Sequence, residues 1–467
     1  MVSCPRAEED ASDTHEVEAE TGMQAPRAIM VAAAVLELLC RCGRESYPSE
    51  QAGDQPGARR SVPPGTPLSP SPGLPRVELS FFGLHVQGLA ARGWWPSGRF
   101  GAIRLWDTRT TWADLEPAAG QWDFSVLDSY VAKAAAANVS TLLTLGQTPR
   151  WAASDTTVPG PYGQGAASPP LRMTDWDLYV RTLANRYEGR ITHWEIWNEV
   201  NVPQFYSGSV RALVDLTCRA ESILKEIDSD NVVISPSVVG GGYGTFEAFL
   251  QAGGGNCVDV IGYHFYAPEG EPEDMLPMVY RVRTLMAQYG QGSKSLWNTE
   301  TGWLIANSDG GFGGLDVPPT WMRTQGDEAA GIVLRALALM INQGLGAFYW
   351  YAWDDASMGL TEPDPVNDAL RKDKPAAMAY QRAVEWFVGA YPRGCEVIGT
   401  ITDCTFAVDG PMLHLVWSAS QNATYTVPGA GSLITVSDFR GDTRTLPAAG
   451  DQIPVGPVPQ LVRVDTP

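Results

Sequence analysis

Basic side chains are scarce in this chain. Its 33 Lys and Arg stand against 53 Asp and Glu, a net charge of −20. Such an anionic surface repels phosphates, which argues against nucleic-acid partners and against docking on an acidic membrane. Histidine is scarcer still, with five residues spread singly. No His-Glu-x-x-His or paired-His spacing occurs, so neither a metal nor any other cofactor is expected. No Gly-x-Gly-x-x-Gly turn opens a helix after the first predicted strand, and no phosphate loop occurs, which weighs against nucleotide binding. A Ser nucleophile is unsupported, because there is no Gly-x-Ser-x-Gly elbow. Long apolar runs are also missing. The best one, Ala28–Cys40, is too short to span a bilayer and is interrupted by Glu37.

What precedes residue 77 differs from the rest. Residues 7–20 are acidic and residues 48–76 are rich in Pro, Gly and Ser. Neither stretch can bury enough apolar surface to offset chain entropy, so 1–76 is expected to be a disordered leader. Within it, segment 27–42 begins with Arg27 and continues into an apolar run, as the core of a secretory signal does. Met23 and Met30 are alternative starts for such a signal, although no small-residue cleavage site follows. Secretion or placement in the cell envelope is the expectation this supports, and a cytoplasmic protein with a meaningless apolar patch is the alternative. Of the seven cysteines, Cys4, Cys40 and Cys42 lie in the leader, and Cys218 and Cys257 show no metal-type spacing. Cys395 and Cys404 flank a short β-like segment and can close a small loop as a disulfide if the protein is exported. Two buried thiols are the alternative.

From about residue 79, apolar strand-like runs alternate with amphipathic stretches, the pattern of parallel β/α architecture. Strands are predicted at 81–86, 102–106, 141–145, 193–197, 232–239, 258–265, 295–299 and 347–353. Helices are predicted at 125–137, 175–188, 209–228, 244–252, 275–289, 326–343 and 376–390. The link between the first two strands is short and Gly-rich, so a helix there is doubtful. Eight strands in this order predict a closed (β/α)8 barrel over 77–390. Residues 391–467 carry short β-like runs separated by Gly, Pro, Asn and Asp, and are expected to form a small all-β sandwich domain.

Two carboxylates stand out. Glu199 ends an aromatic run in Thr-His-Trp-Glu-Ile-Trp-Asn-Glu (192–199), and Glu300 ends another in Lys-Ser-Leu-Trp-Asn-Thr-Glu (294–300). Closing a buried strand on a charge is costly unless that charge has a task. In a β/α barrel the active site gathers at the carboxyl ends of the strands. His85, Arg104, Gln147, Asn198, His264, Tyr266 and Asp354 are placed at such ends as well. Paired acids there are the minimum equipment for glycosidic bond cleavage. Plainer readings exist for several of these residues. Glu195 and His193 suit structural roles by two-residue alternation, and Asp107 and Asp354 can cap helices. Trp303, Trp350 and Trp353 serve either as core or as flat faces for a sugar ring. The Gly- and Pro-rich loops at 155–170 and 304–320 are expected to wall the cleft.

These motifs carry a resemblance. Trp-Asn-Glu (197–199), His-Phe-Tyr (264–266) and Trp-Asn-Thr-Glu-Thr-Gly-Trp (297–303) resemble the retaining glycoside hydrolases of the large β/α-barrel clan. With Phe-Gly-Leu-His (82–85), Ile-Arg-Leu-Trp-Asp (103–107) and Thr-Leu-Gly-Gln-Thr-Pro-Arg-Trp (144–151), the chain looks most like family 39 over residues 79–390. That family holds β-xylosidases, α-L-iduronidases and bacterial exopolysaccharide endoglycosidases. The resemblance implies a carbohydrate substrate, most simply a polysaccharide, cleaved with Glu199 as acid/base and Glu300 as nucleophile. It further implies that Arg104 and Tyr266 keep Glu300 ionised and that Asn198 binds the sugar 2-hydroxyl. His85, His264, Trp151, Trp303 and Trp350 complete the expected substrate contacts. A glycan-binding barrel without turnover, and a transglycosylase using the same residues, are the alternatives.

Overall fold

In the computed structural model, residues 73–465 are described apart from 365, 368, 420–422, 429–432 and 447–449. The predicted leader and its signal-like segment fall outside the described residues, apart from its last few. Eight parallel strands close a barrel: β1 (Phe82–Leu84), β2 (Ala102–Leu105), β3 (Ser140–Leu145), β4 (His193–Ile196), β5 (Val232–Ile234), β6 (Val260–Tyr263), β7 (Ser295–Thr301) and β8 (Phe348–Trp350). Each strand pairs with its sequence neighbour, and β8 returns to β1, with Phe82 opposite Phe348. The expected fold class is therefore observed. The predicted fifth strand extends to Val239, but the continuous ladder stops at Ile234 and returns only as an isolated bridge between Val239 and His264. Ser235-Pro236-Ser237 follows, and Pro has no amide to extend a ladder.

The connecting helices are α1 (Ser125–Ala136), α2 (Met173–Arg186), α3 (Val210–Ile227), α4 (Tyr243–Gln251), α5 (Met275–Gln288), α6 (Gly326–Asn342) and α7 (Pro375–Phe387). Only a four-residue turn of helix, Leu89–Arg92, lies between β1 and β2. Helix α3 illustrates why these segments fold as they do. The Ser209 hydroxyl caps it by accepting from the Ala212 amide, and Leu213, Leu216, Ala220 and Leu224 recur at helical spacing on its buried face. Each large apolar side chain so buried contributes about 1.5–3 kcal/mol relative to exposure.

Alternation along the strands decides what enters the barrel. Ala102, Leu142, Ile234, Val260, Ala347 and Tyr349 pack together as an apolar plug inside it. Two residues further on, the same inward faces of β2 and β3 carry Arg104 and Thr144, and Glu195 on β4 is paired with Thr144. The polar floor of the site thus sits directly above the plug.

Antiparallel strands follow the last barrel helix: β9 (Tyr391–Ile398), β10 (Ile401–Ala407), β11 (Met412–Ser418), β12 (Ala423–Thr426), β13 (Ile434–Ser437), β14 (Thr443–Leu446), β15 (Gln452–Val455) and β16 (Gln460–Val464). A six-stranded sheet in the order β9-β10-β11-β16-β13-β14 faces the β12-β15 pair. Val416, Tyr425, Val436 and Val455 share one core between the two sheets, a small sandwich. Its other side packs on the barrel, where Phe406 stacks on Phe387 at 4.3 Å and Trp417 donates to Glu273. Two disulfides are present among the described residues. Cys395–Cys404 joins directly paired residues of β9 and β10, as the sequence allowed. Cys218–Cys257 ties α3 to the turn before β6. No spacing in the sequence marked this second pair, because its 39-residue separation closes only through the fold.

Candidate active site

Arg104 stands at the centre. From the inward face of β2 its Nε donates to Glu195 Oε2 at 2.7 Å, its Nη1 to Glu300 Oε2 at 2.7 Å and its Nη2 to Asn198 Oδ1 at 2.6 Å. Thr144 Oγ1 donates to the same Glu195 oxygen at 2.8 Å. Glu195 is fully buried and its place is structural, as the alternation suggested: it aims the guanidinium that in turn holds Glu300. Tyr266 donates its hydroxyl to Glu300 Oε1 at 3.0 Å. Both oxygens of Glu300 are therefore engaged by donors.

Glu300 reaches this position through an irregularity. Phe348 pairs with Asn298 and Trp350 with Thr301, so Thr299 and Glu300 together face the single residue Tyr349. Such a bulge breaks strict alternation and re-aims a side chain. Glu199 arrives by strain of another kind. Trp197 and Glu199 adopt positive φ values of 65° and 46°, uncommon for residues with a β-carbon. The Glu199 amide is fixed by donating to Ser237 Oγ, and the Trp197 indole by donating to the Phe205 carbonyl.

Glu199 is dressed differently from Glu300. Its Oε1 lies 2.9 Å from His264 Nδ1, and its Oε2 has no partner. Burial, and then the charge of Arg104, hold the His264 pKa well below the ordinary 6.5, so the ring is neutral. The contact is satisfied when Nδ1–H donates to Oε1, leaving Oε2 to carry a proton. Burial, and then the nearby Glu300 charge, push Glu199 well above the usual carboxylate range. Burial also raises Glu300, but Arg104 and the Tyr266 hydrogen bond oppose this, and it reaches about 7. Environment therefore separates the two acids, with Glu300 giving up its proton first.

One oxygen of each carboxylate and His264 Nδ1 lie within 4.8 Å of one another. This closeness favours direct attack by one carboxylate over the interposed water of an inverting glycosidase, whose carboxyl groups stand about 6.5–9.5 Å apart. The same three groups are near enough to bracket a cation, but they do not suit one. Arg104 already places a positive charge on Glu300, and a metal there would meet it directly.

Of the other predicted residues, His85 joins the site. Its Nε2–H donates to the Thr299 carbonyl at 3.2 Å, and its Nδ1 has no partner. Trp350 is fully buried, with its indole N–H unpartnered. Trp303 stacks behind it at 5.7 Å and donates to the Gly270 carbonyl. With no exposed surface, Trp303 is core rather than a sugar platform. Trp151 packs edge-on against Trp112 and donates to the Glu116 carbonyl, which assigns it to an aromatic cluster with Trp112, Trp176 and Tyr179. His193 bonds to Thr192 and packs near Trp297. Asp354 caps the Gln87 and Gly88 amides leading into the short helix after β1. Asp107 caps no helix; its oxygens accept from the hydroxyls of Tyr162 and Tyr351.

Two site residues, Tyr162 and Tyr351, escaped the sequence reading, and a third, Gln147, was named only for its place at a strand end. The full burial of Gln147 with both amide atoms unpartnered is a property of packing. Tyr162 sits in a loop without periodicity and Tyr351 just beyond the observed end of the last strand, which the sequence predicts to run to 353, so only the three-dimensional meeting with Asp107 marks them.

No protein-family model and no curated protein sequence matches this chain. Many solved structures share its fold. A family 39 glycoside hydrolase from the gut symbiont Bacteroides cellulosilyticus superposes with a TM-score of 0.62 at 17% identity, covering 83% of this chain and 81% of that one. A monomeric β-xylosidase from Caulobacter crescentus gives 0.58 at 14% identity, over 84% and 97%. A family 30 endoxylanase from Clostridium papyrosolvens gives 0.56 at 14% identity, over 85% and 98%. At these identities the likeness is one of fold.

Proposed function

We propose that this protein is a retaining O-glycosidase that hydrolyses a carbohydrate by double displacement. The single observation that carries the reading is the pair of buried carboxylates, within 4.8 Å through their near oxygens and unequally dressed. Glu300 is the nucleophile. Its ionised form is favoured by Arg104 and Tyr266, and it attacks the anomeric carbon as the glycosidic C–O bond breaks. Glu199 is the acid, delivering its proton to the departing oxygen. In the second half, Glu199 takes a proton from water as that water attacks the anomeric carbon and releases Glu300. Asn198, oriented by Arg104, is the partner for the sugar 2-hydroxyl. His85 Nδ1, His264 Nε2 and the Trp350 N–H are buried without partners and supply acceptors and a donor for the remaining hydroxyls.

A polysaccharide or a fragment of one is the proposed natural source of that sugar. The fold relatives support a carbohydrate, since they include a glycoside hydrolase, a β-xylosidase and an endoxylanase. Secretion or attachment in the cell envelope is proposed as well. Two disulfides support it, because such bonds persist in oxidising compartments. No helix among the described residues is long and apolar enough to cross a membrane.

The test is a panel of aryl glycosides followed by proton NMR. Release of the aryl group with the first-formed sugar in the anomeric configuration of the substrate supports the reading. Turnover with inversion, or no turnover on any member, refutes it.

A further inference from the structure

The loops above the two carboxylates bear on substrate form. Glu199 is 1% exposed and Glu300 4% exposed, little for groups that must meet a polymer. They are covered because the loops beyond the strand ends lock to one another. Gln87, after β1, donates to the Tyr351 hydroxyl at 2.8 Å, and Tyr351, after β8, donates to Asp107, after β2. Asp107 also accepts from Tyr162 of the long loop after β3 at 2.6 Å. The Tyr162 ring in turn packs against Trp106 and Phe205, the latter after β4. Loops from five strands are thereby joined around one side of the site.

The other side is closed by the loop after β7. Its Met322 amide bonds to the Pro268 carbonyl after β6, and its Ile305 amide to the Ser357 carbonyl after β8. Lys374, buried, donates to the Ile305 carbonyl at 2.8 Å. Leu304, Val317 and Trp321 of this loop share an apolar cluster with Tyr266 and Tyr351, separate from the barrel core. Tyr266 touches Glu300 and Tyr351 touches Asp107, so the cluster is a roof resting on the catalytic groups. The two loops predicted to wall the cleft instead help to close a ring.

An enzyme that cuts inside a chain needs a groove open at both ends, because sugars continue on either side of the broken bond. Loops locked to one another on both sides of the site leave little room for such a groove. The unpartnered buried atoms, including both amide atoms of Gln147, Nδ1 of His85 and Nε2 of His264, instead suit a blind pocket that binds the hydroxyls of one sugar. We infer that the enzyme is exo-acting: its pocket accepts a single terminal sugar residue, and the site takes chain ends or short glycosides rather than internal bonds. The inference rests on the glycosidase reading above.

The experiment uses oligosaccharides of five or six units, built from xylose, arabinose, glucose, mannose or galactose and fluorescently tagged at the reducing end. Aryl monoglycosides of the same sugars serve as companions. Products are separated by chain length at low conversion. The expected result is free monosaccharide together with a tagged product one unit shorter, and turnover of the matching aryl monoglycoside. Tagged products two or more units shorter in the first few per cent of conversion would overturn the exo inference while leaving the glycosidase reading intact. Turnover of neither oligosaccharides nor aryl glycosides would overturn both.

Discussion

Glu300→Gln removes the proposed nucleophile, and the structure predicts that it also stabilises the protein in a pH-dependent way. The Glu300 carboxyl is raised from the ordinary 4.5 to about 7, chiefly by burial. Below pH 4.5 it is protonated in both the folded and unfolded states and has no effect on the pH dependence. Between 4.5 and about 7 the folded state holds the proton while the unfolded chain releases it, so stability falls as pH rises. Above that range the full difference applies, roughly 3 kcal/mol at 1.36 kcal/mol per pH unit. The linkage relation gives a penalty of about 1 kcal/mol at pH 5 and about 3 kcal/mol at pH 8. Gln has no such charge to desolvate, and its carbonyl can still accept from Arg104. The advantage of the variant over the parent should therefore grow by about 2 kcal/mol between those two pH values, which is several degrees in Tm. Urea denaturation of both proteins at pH 5 and pH 8 measures it. If the variant is less stable at pH 8 than at pH 5 relative to the parent, the Arg104–Glu300 ion pair outweighs the cost of burying the charge, and the reasoning fails.

Other outcomes follow from the same geometry. Glu199→Ala should lose turnover on substrates with poor leaving groups, keep it on activated aryl glycosides, and yield a glycosyl azide when azide is added, as thin-layer chromatography would detect. Activity requires Glu300 ionised and Glu199 protonated, so kcat/KM should rise with pH through about 7 on the acid side and fall where Glu199 ionises. Tyr266→Phe removes a hydrogen bond that lowers the Glu300 pKa, and should move the acid limb to higher pH in the same pH–rate profile. Breaking Cys218–Cys257 by substituting both residues with Ser should cost roughly 4 kcal/mol by loop entropy, and breaking Cys395–Cys404 roughly 3 kcal/mol. Denaturation midpoints of the two double variants test that order.

Much of the fold was legible because its signals are local. The amphipathic period of α3, its Ser209 cap and the apolar runs of β2, β3 and β6 each specify an element without knowledge of the others. Eight such strands alternating with helices leave few closed solutions. Arg104 was legible from its strand end and the resemblance, whereas alternation gave Glu195 only a structural role and did not show that it holds Arg104 from inside the barrel. What stayed hidden depends on long-range meeting. The bulge that turns Glu300 inward is a mismatch between β7 and β8, invisible in either strand alone. The Asp107 clasp draws on Tyr162 and Tyr351 from loops 189 residues apart in number, and Cys218 meets Cys257 only after α3 packs. The tryptophans failed for the opposite reason. Trp151 and Trp303 lie beside sites of chemistry in sequence, yet the indole N–H of each is spent on a backbone carbonyl, and Trp303 is stacked within the core while Trp151 packs edge-on against Trp112.

The central claim is that Glu300 becomes covalently bonded to sugar. It is tested most directly by incubating the protein with activated 2-deoxy-2-fluoro glycosides, whose fluorine slows release of the intermediate, followed by intact mass and peptide mapping. The account predicts one sugar per chain, attached to the peptide that contains Glu300, with no labelling of Glu300→Gln. Attachment at a different residue, or steady turnover of aryl glycosides with inversion and no trapped species, would contradict it.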